Sequence, residues 1–409
     1  MNKFSIITES QFGFRPGHST YMPLTTIVDK ITEASEKGHY AAAIFVDLKK
    51  AFDTLDHSIL ITKLEHYGIR GIPLKLMISY LTDRQQCVTY NGITSNYLNI
   101  TTGVPQGSVL GPLLFLIYIN DIARVSKLFS IFWFADDTTI LDTDKDLPIL
   151  VTRLNCELLV LEKWFKANKL SVNTEKTKYI IFGEDRRHTP KITTEILING
   201  QILEKVSSIK FLGVDIDSNL GWKTHINRIQ NKVASVIGIL SKIRHKISKA
   251  AALLIYDALI NSHLNYCSLV WATGYKSSLH RLYILQKRAL KICLKVNKFT
   301  DTNTLFMTAN RPSINEIYTI QLSTFVYSCL ANILPSHYDS YYRPVTFVHS
   351  HGVRSKSKLY SLPAKKTLVS FHLELRGFNC GICYRKKSNS RPHYVFLRRV
   401  SRNLLGNNF

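Results

Sequence analysis

The spacing of apolar residues predicts a helix and then a buried strand near the start of the chain. Between Leu24 and Lys37 apolar residues recur every three or four positions, the pattern of an amphipathic helix, and Gly38 marks its end. Residues 41–46 form an uninterrupted apolar run that stops abruptly at Asp47. Such a run is typical of a strand that is buried on both faces. The sequence therefore predicts an acid at the carboxyl end of a buried strand.

Further alternation of helix and strand patterns predicts a mixed fold up to about residue 220. Strand-like segments flank Asn91-Gly92 and Ala135-Asp136-Asp137, and each set predicts a β-hairpin. Between them, residues 103–112 are rich in Gly and Pro and predict a loop. Other helices are predicted at 56–67, 73–81, 113–122 and 147–169, and further strands at 179–182 and 209–216.

The pattern becomes helical after Trp222. The spacing of apolar residues predicts helices at 226–243, 250–264 and 279–294. Beyond about Val296 this spacing weakens and His, Ser, Arg and Lys become frequent, so the pattern predicts no defined elements there. We therefore expect a helical domain after the mixed one.

Composition and charge narrow the class of protein. The 409 residues include 53 Lys and Arg against 29 Asp and Glu, a formal net charge of +24, and a hydrophobic content of 45% excludes a disordered chain. A surplus of this size predicts an anionic partner, either nucleic acid or anionic lipid. The seven cysteines are scattered, which predicts a reducing compartment. Since no apolar run is long enough to span a membrane and no signal peptide is evident, we expect an intracellular protein with no membrane partner.

Three carboxylates carry the strongest indication of chemistry. Asp47 follows the predicted strand, and Asp136 and Asp137 lie in the turn of the second predicted hairpin. If the three converge, their like charges repel one another strongly unless a divalent cation lies between them. Oxygen ligands of this kind suit Mg²⁺. The alternative is that Asp136-Asp137 is only a polar turn, and the pair by itself does not decide.

Six segments form an ordered set within the first 216 residues. They are Ser10-Gln-Phe-Gly-Phe-Arg-Pro-Gly-His-Ser-Thr20, Phe45-Val-Asp-Leu-Lys-Lys-Ala-Phe-Asp53, Gly103-Val-Pro-Gln-Gly-Ser-Val-Leu-Gly-Pro112, Phe134-Ala-Asp-Asp137, Leu170-Ser-Val-Asn-Thr-Glu-Lys-Thr-Lys178 and Phe211-Leu-Gly-Val-Asp-Ile216. This set resembles the successive motifs of reverse transcriptases, specifically those of non-LTR (LINE-type, jockey- and CR1-like) retrotransposons. The resemblance implies an RNA-directed DNA polymerase that uses template RNA, primer DNA and dNTPs.

The same resemblance implies a fold and a domain organisation. The fold class is α+β, a right-hand polymerase. Partial fingers and a palm of antiparallel sheet plus helices would occupy residues 1–220, and a helical thumb would occupy 221–300. A basic C-terminal region of uncertain structure would follow over 301–409.

The resemblance also assigns the catalytic centre to the three acids. Asp47 and Asp136 would hold two Mg²⁺ ions together with the Leu48 carbonyl, and Asp137 would support the ion nearer the primer. Lys176, or in its place Lys178, would protonate the departing pyrophosphate or stabilise its charge. The alternative for Lys176 is a solvated loop lysine.

Substrate and nucleic-acid contacts are assigned in the same way. Phe52, five residues after Asp47, would lie beneath the sugar of the incoming nucleotide and exclude a 2′-hydroxyl. Gln106 and Gly107 would contact the nucleotide or template, and Arg15 would contact template phosphate or the triphosphate, unless it is an ordinary surface residue. The predicted nucleic-acid-binding residues are Phe211, Leu212, Gly213, Lys223, Arg228 and Lys232. For the basic residues among them, the alternative is an ordinary solvated helix face.

Several interpretations stay open. Besides an active polymerase, the sequence allows a catalytically impaired, nucleic-acid-binding relic, because the chain begins almost directly at the second finger motif and is expected to be truncated at its N-terminus. A palm-type nucleotidyltransferase of another kind, such as a cyclase, is disfavoured by the 103–107 loop. Cys380 and Cys383 are either reduced thiols or part of a zinc knuckle, and the lack of a second cysteine pair favours thiols. We expect the protein in the nucleus and cytoplasm.

Overall fold

The structure, a computed structural model, describes residues 6–126, 128–184, 195–338, 341–344 and 359–361. The chain divides into two units, residues 1–213 and 214–409. The predicted thiols Cys380 and Cys383 lie outside the described residues.

The first unit combines five helices and twelve strands among its described residues. The helices are α1 (Tyr21–Glu36), α2 (His57–His66), α3 (Ile72–Leu81), α4 (Leu110–Ile119) and α5 (Leu147–Ala167), with a 3₁₀ segment at Asn120–Arg124. The strands are β1 (Tyr40–Val46), β2 (Arg84–Gln86), β3 (Thr89–Tyr90), β4 (Ile93–Thr94), β5 (Leu98–Ile100), β6 (Ser130–Phe134), β7 (Asp137–Asp144), β8 (Lys178–Phe182), β9 (Leu197–Ile198), β10 (Gln201–Ile202), β11 (Glu204–Lys205) and β12 (Ser208–Phe211). The predicted α+β class is confirmed.

A five-stranded sheet, in the order β11-β8-β1-β7-β6, organises this unit. β1 pairs antiparallel with both β7 and β8, and β6 and β7 form the predicted hairpin. Ala42, Ile44 and Val46 of β1 belong to one core with residues of α2, α4 and α5. Helix α1 lies against β1, β6 and β7 and contributes no residue to that core, so it covers the opposite face of the sheet. Burial on both faces explains why β1 is apolar at every position.

Two helix starts show how local chemistry sets the boundaries. Helix α2 begins after Asp56, whose side chain accepts a 3.0 Å hydrogen bond from the Ile59 N–H and so caps the helix. Helix α4 begins at Leu110, three residues earlier than the sequence predicts, so residues 110–112 are not part of the loop. Pro112 is compatible with this start because the first turn of a helix has N–H groups without intrahelical partners.

The second unit is mainly helical. Its described elements are β13 (Val214–Asp217), α6 (Lys223–Ile243), α7 (Lys249–Tyr256), a π-helical segment (Asp257–Asn261), α8 (Ser262–Asn265), α9 (Ser268–Trp271), α10 (Lys276–Leu294), α11 (Thr302–Ala309), α12 (Ile314–Leu330), a 3₁₀ segment (Ser336–Tyr338), β14 (Tyr342–Pro344) and β15 (Leu359–Ser361). The predicted helix at 250–264 is interrupted by the π-helical segment, and α11 and α12 were not predicted. Within the described part of the chain, no helix is both long and apolar enough to cross a membrane.

Candidate active site

The pairing of β1 with β7 brings two of the predicted acids together. Val46, the last residue of β1, lies opposite Thr138, and continuing this antiparallel register by one residue sets Asp47 opposite Asp137. Residues opposite each other in an antiparallel pair project to the same face of the sheet. Asp136 precedes Asp137 in the tight turn of the β6–β7 hairpin, where Phe134 pairs with Asp137. The structure therefore places all three acids at one end of the sheet.

The charges of the three acids act on one another. The pKa of Asp137 is raised to about 6, first because the surrounding protein removes part of its hydration, and then because Asp136 and Asp47 repel its negative charge. Asp137 loses part of its hydration even though some of its surface stays exposed. Asp47 and Asp136 are half-buried. A cation bound at this end of the sheet would relieve the repulsion.

A short turn at residues 173–177 fixes Asp47. The side-chain amide of Asn173 donates a 3.0 Å hydrogen bond to Asp47 Oδ2, and its N–H donates to the Asp47 carbonyl at 2.8 Å. The Asp47 N–H in turn donates to Thr177 Oγ1 at 3.2 Å, and Thr177 is fully buried. Asn173 was not among the predicted site residues, although it lies within a segment that carried the resemblance. The only sequence signal for Asn173 is that an Asn begins a polar turn there.

Two further predicted residues lie near Asp47: Lys176 in the 173–177 turn, and Leu48 next to Asp47 in the chain. Lys176 is exposed, and its N–H donates to the Asn173 carbonyl at 3.2 Å. Because Asn173 is itself hydrogen-bonded to Asp47, the backbone of Lys176 lies near Asp47. Leu48 is bridged antiparallel to Val172. The hydrogen bonds of that bridge use the Asp47 carbonyl and the Lys49 N–H, and they leave the Leu48 carbonyl unused by the bridge.

The Gly-Pro loop lies directly against the segment that follows Asp47. The Val104 N–H donates to the Phe52 carbonyl at 2.9 Å, and Gln106 Nε2 donates to Asp53 Oδ1 at 2.8 Å. Gly103 has a φ of +83°, and a Cβ there would lie 2.7 Å from the Asp53 carbonyl oxygen, so only glycine fits. The predicted loop residues Gln106 and Gly107 are both exposed. The structure thus brings the loop and Phe52 together.

Phe52 is half-buried in a cluster of three rings. Its ring stacks on Phe115 of α4, with centroids 4.4 Å apart and planes at 27°. The ring of Phe14 meets Phe52 edge-on at 6.3 Å and is 57% exposed. Packing against Phe115 and Phe14 restricts the orientation of the Phe52 ring.

Arg15 makes local contacts. Its Nη1 donates to the carbonyls of Thr8 and Gln11 at 2.8 and 3.0 Å, and the side chain is half-buried. These hydrogen bonds close the loop that precedes α1. The predicted contact of Arg15 with phosphate remains a prediction.

The predicted nucleic-acid-binding residues differ in their surroundings. Phe211 is buried, with its ring centroid 5.3 Å from that of Phe45 in β1, whereas Leu212 and Gly213 form a turn with positive φ angles. In the second unit Lys223 and Lys232 of α6 are exposed. Arg228 is half-buried, and its Nε donates to Asp215 Oδ2 at 2.6 Å. This ion pair commits the Arg228 side chain to the packing of the second unit.

The donor chemistry fits magnesium. In the described parts of the chain, no three His, Cys, Asp or Glu side chains are close enough as they stand to hold a metal ion. Mg²⁺, however, is usually held by one or two carboxylates completed by substrate phosphates and water. Asp47 and Asp137, with Asp136 beside them, would provide such a partial set of oxygen ligands.

Comparison with known proteins agrees with the motifs. Residues 1–216 match the family "Reverse transcriptase (RNA-dependent DNA polymerase)", which confirms the resemblance. The chain is 29% identical over 298 residues to the RNA-directed DNA polymerase from mobile element jockey of Drosophila melanogaster, covering 70% of this chain and 32% of that protein. It is 28% identical over 313 residues to a probable RNA-directed DNA polymerase from transposon X-element of the same species, covering 75% and 34%. The chain thus spans about a third of the length of these curated relatives.

A solved telomerase structure from Candida albicans, in complex with a fragment of telomeric RNA, also aligns. Its TM-score is 0.39 at 13% identity, over 86% of this chain and 56% of that chain.

Proposed function

This chain belongs to the reverse transcriptase family, and on that premise we propose that it is the RNA-directed DNA polymerase of a non-LTR retrotransposon. It would add deoxynucleotides from dNTPs to the 3′-hydroxyl of a primer paired with template RNA. The observation that supports this most directly is the β1–β7 register, which, continued by one residue, sets Asp47 opposite Asp137, whose pKa is raised by loss of hydration and then by Asp136 and Asp47. A polymerase of such an element would act in the nucleus and cytoplasm.

Asp47, Asp136 and Asp137, with the Leu48 carbonyl, would hold two Mg²⁺ ions. Ions bound in this way stabilise the attacking 3′-hydroxyl oxygen and the leaving pyrophosphate oxygen of an in-line displacement. Asn173 would keep one oxygen of Asp47 in place through its 3.0 Å hydrogen bond. Lys176 is exposed in the same turn, where its ammonium would donate a proton to the departing pyrophosphate or stabilise its charge.

Phe52 would select deoxynucleotides by shape. Its ring is held by Phe115, so it would stay beneath the incoming sugar and leave no room for a 2′-hydroxyl. Phe52→Val should increase ribonucleotide incorporation relative to deoxynucleotide incorporation by about tenfold to a hundredfold, the range expected for a steric pocket. Phe115→Leu is the control, because it loosens the support but keeps the Phe52 ring. Unchanged discrimination in Phe52→Val would reject this role.

Contacts with nucleic acid would come from loops and exposed basic residues. Gln106 and Gly107 would lie near the nascent base pair, Arg15 near phosphate, and Leu212 and Gly213 near the primer, with buried Phe211 supporting their turn. Lys223 and Lys232 would contact phosphates, so binding should weaken steeply with salt. We leave Arg228 out of this set because of its ion pair with Asp215.

Primer extension on an RNA template tests the proposed function. The purified chain is compared with the Asp136→Asn, Asp137→Asn double variant, with and without Mg²⁺, and template binding is measured for both. We expect extension only from the parent chain with Mg²⁺, and equal template binding. If the parent binds template but extends no further than the double variant, the chain is a nucleic-acid-binding protein without polymerase activity.

A further inference from the structure

The segment that precedes α1 runs alongside the edge of the central sheet. Gln11 forms a parallel bridge with Trp133 of β6. The Trp133 N–H donates to the Ser10 carbonyl at 2.9 Å, and the Phe12 N–H donates to the Trp133 carbonyl at 2.8 Å. Residues 10–12 thus extend the sheet beyond β6, next to the turn that carries Asp136 and Asp137.

The side chain of Gln11 ends inside this turn. Its Oε1 accepts hydrogen bonds from the N–H of Gly13 at 2.7 Å and from the N–H of Ala135 at 3.2 Å, and the residue is only 2% exposed. Since both partners are donors, the oxygen of the amide must face them, and the orientation of the side chain is fixed. Its Nε2 is buried and has no partner among the described residues, so the amide is held by its oxygen alone.

The turn needs such a partner. Ala135 has a φ of +60°, a left-handed conformation that costs a residue with a side chain roughly 1–2 kcal/mol. Ala135 is itself buried, at 6% exposed, so leaving its N–H unpaired would add a further cost. Gln11 Oε1 supplies the acceptor, and it comes from a segment more than a hundred residues earlier in the chain.

Gly13 shows how closely the two segments approach. A Cβ at this position would lie 2.3 Å from the Ala135 nitrogen and 3.0 Å from the Phe134 carbonyl carbon. Both contacts are with backbone, which cannot move aside as a flexible side chain can. Glycine is therefore required at position 13 for the Gln11 segment to reach the turn.

We propose that Gln11 is a positioning residue: through the Ala135 N–H it fixes the turn that presents Asp136 and Asp137, although it does not itself contact metal or nucleotide. This role rests on the proposed function, because it concerns the geometry of the same acids. Losing the acceptor would let the turn relax and would separate the acids from the arrangement that Mg²⁺ needs.

Two substitutions at Gln11 separate its acceptor from its bulk. Gln11→Met keeps the length of the side chain but removes the acceptor, and Gln11→Glu keeps an acceptor at the same position. In Gln11→Met we expect the Ala135 amide to exchange with solvent about tenfold faster, as for the loss of one hydrogen bond. The affinity for Mn²⁺, measured by EPR with primer and template bound, should fall several-fold. Gln11→Glu should keep most of the amide protection.

Gly13→Ala tests the same contact from the other side. It should also speed exchange of the Ala135 amide, because the added Cβ pushes against that nitrogen. Gly17→Ala is the matched control: Gly17 belongs to the same loop and has a φ of +75°, but a Cβ there meets nothing within 4 Å. It should strain the loop without changing exchange at Ala135.

Equal exchange of the Ala135 amide in the parent and Gln11→Met would overturn the proposal. Faster exchange with unchanged Mn²⁺ affinity would also overturn it, since Gln11 would then support the fold alone. Neither measurement requires turnover. Failure of the parent chain to extend a primer would therefore count against the proposed function, and the Gln11 variants would still be decided by exchange and metal affinity.

Discussion

The two ends of strand β7 carry the same residue type in opposite electrostatic states. At its start, Asp137 lies opposite Asp47 and beside Asp136, and its pKa is raised to about 6. At its end, Asp142 and Asp144 both pair with Arg153 of α5, whose Nε and Nη1 donate to them at 2.7 Å each.

Hydration, hydrogen bonding and neighbouring charge together account for this difference. The pKa of Asp144 is lowered, chiefly because its carboxylate accepts a hydrogen bond from the Asp146 N–H and also because Arg153 lies beside it. Asp137 loses hydration, and the charged groups among the described residues that shift its pKa are the acids Asp136 and Asp47. Arg153 thus neutralises one end of the strand, whereas the acids at the other end repel one another. The end where the acids repel one another is the end that we propose for catalysis.

The largest expected difference between the two ends is in activity. Asp137→Asn should lower the rate of primer extension by about 10²–10³-fold, as for the loss of one preorganised electrostatic group. Asp142→Asn, on the same strand, should keep the extension rate of its folded fraction within a few-fold of the parent. Rates are measured per folded molecule at saturating template. A comparable loss of extension in both variants would remove the functional distinction between the ends.

The second difference is in stability, and its sign should be opposite at the two ends. Asp142→Asn removes the charge of one partner in a largely buried ion pair and should lower the free energy of unfolding by about 2 kcal/mol, as for a weakened hydrogen bond to a charged group. In the absence of divalent metal, Asp137→Asn should raise the melting temperature, because it removes repulsion from Asp136 and Asp47. Thermal unfolding in EDTA measures both. A fall in melting temperature for Asp137→Asn would contradict the account.

The smallest expected difference is in the response to pH. The folded chain keeps a proton on Asp137 up to a pH of about 6, whereas the unfolded chain releases it near its ordinary pKa. Without metal, the contribution of Asp137 to stability should therefore decline as pH rises through this interval. Metal binding must displace the same proton, so the half-saturating Mg²⁺ concentration should rise by up to about tenfold per pH unit below 6.

Asp137→Asn provides the comparison for the pH experiment. The variant lacks the titrating group, so both its metal-free stability and its residual metal affinity should vary less between pH 5 and about 7. Asp142→Asn should keep the pH response of the parent. An identical pH response in Asp137→Asn and the parent would assign the titration to another group.

The sequence predicts the acids at the start of β7 but not the ion pairs at its end. Asp47 and the Asp136-Asp137 turn follow from an apolar run that stops at an acid and from a hairpin pattern, both of which are local signals. The ion pair of Arg153 with Asp142 and Asp144 depends on how α5 packs against β7, and spacing alone does not fix that packing. The role of Asn173 is not predicted either, because it depends on a tertiary contact with Asp47, more than a hundred residues away in the chain.

Beyond Val296 the structure contains helices that the spacing of apolar residues does not predict. Helix α12 starts with a capping box formed by Ser313 and Glu316, a signal that sequence reading could have used. Its apolar residues are spread around the helix instead of following one face, so its spacing does not stand out. Gln11 is a different case: its motif was recognised, but its hydrogen bond to the Ala135 N–H depends on tertiary structure.

Counting bound Mn²⁺ ions tests the central claim most directly. EPR titration is carried out on a complex of the chain with template RNA, a primer that lacks its 3′-hydroxyl, and the incoming dNTP. We predict that the parent and Asp142→Asn bind Mn²⁺ with the same stoichiometry and affinity, and that Asp47→Asn and Asp137→Asn lose at least one ion or bind it far more weakly. Equal Mn²⁺ binding by all four proteins would contradict the assignment of these acids to the metal site.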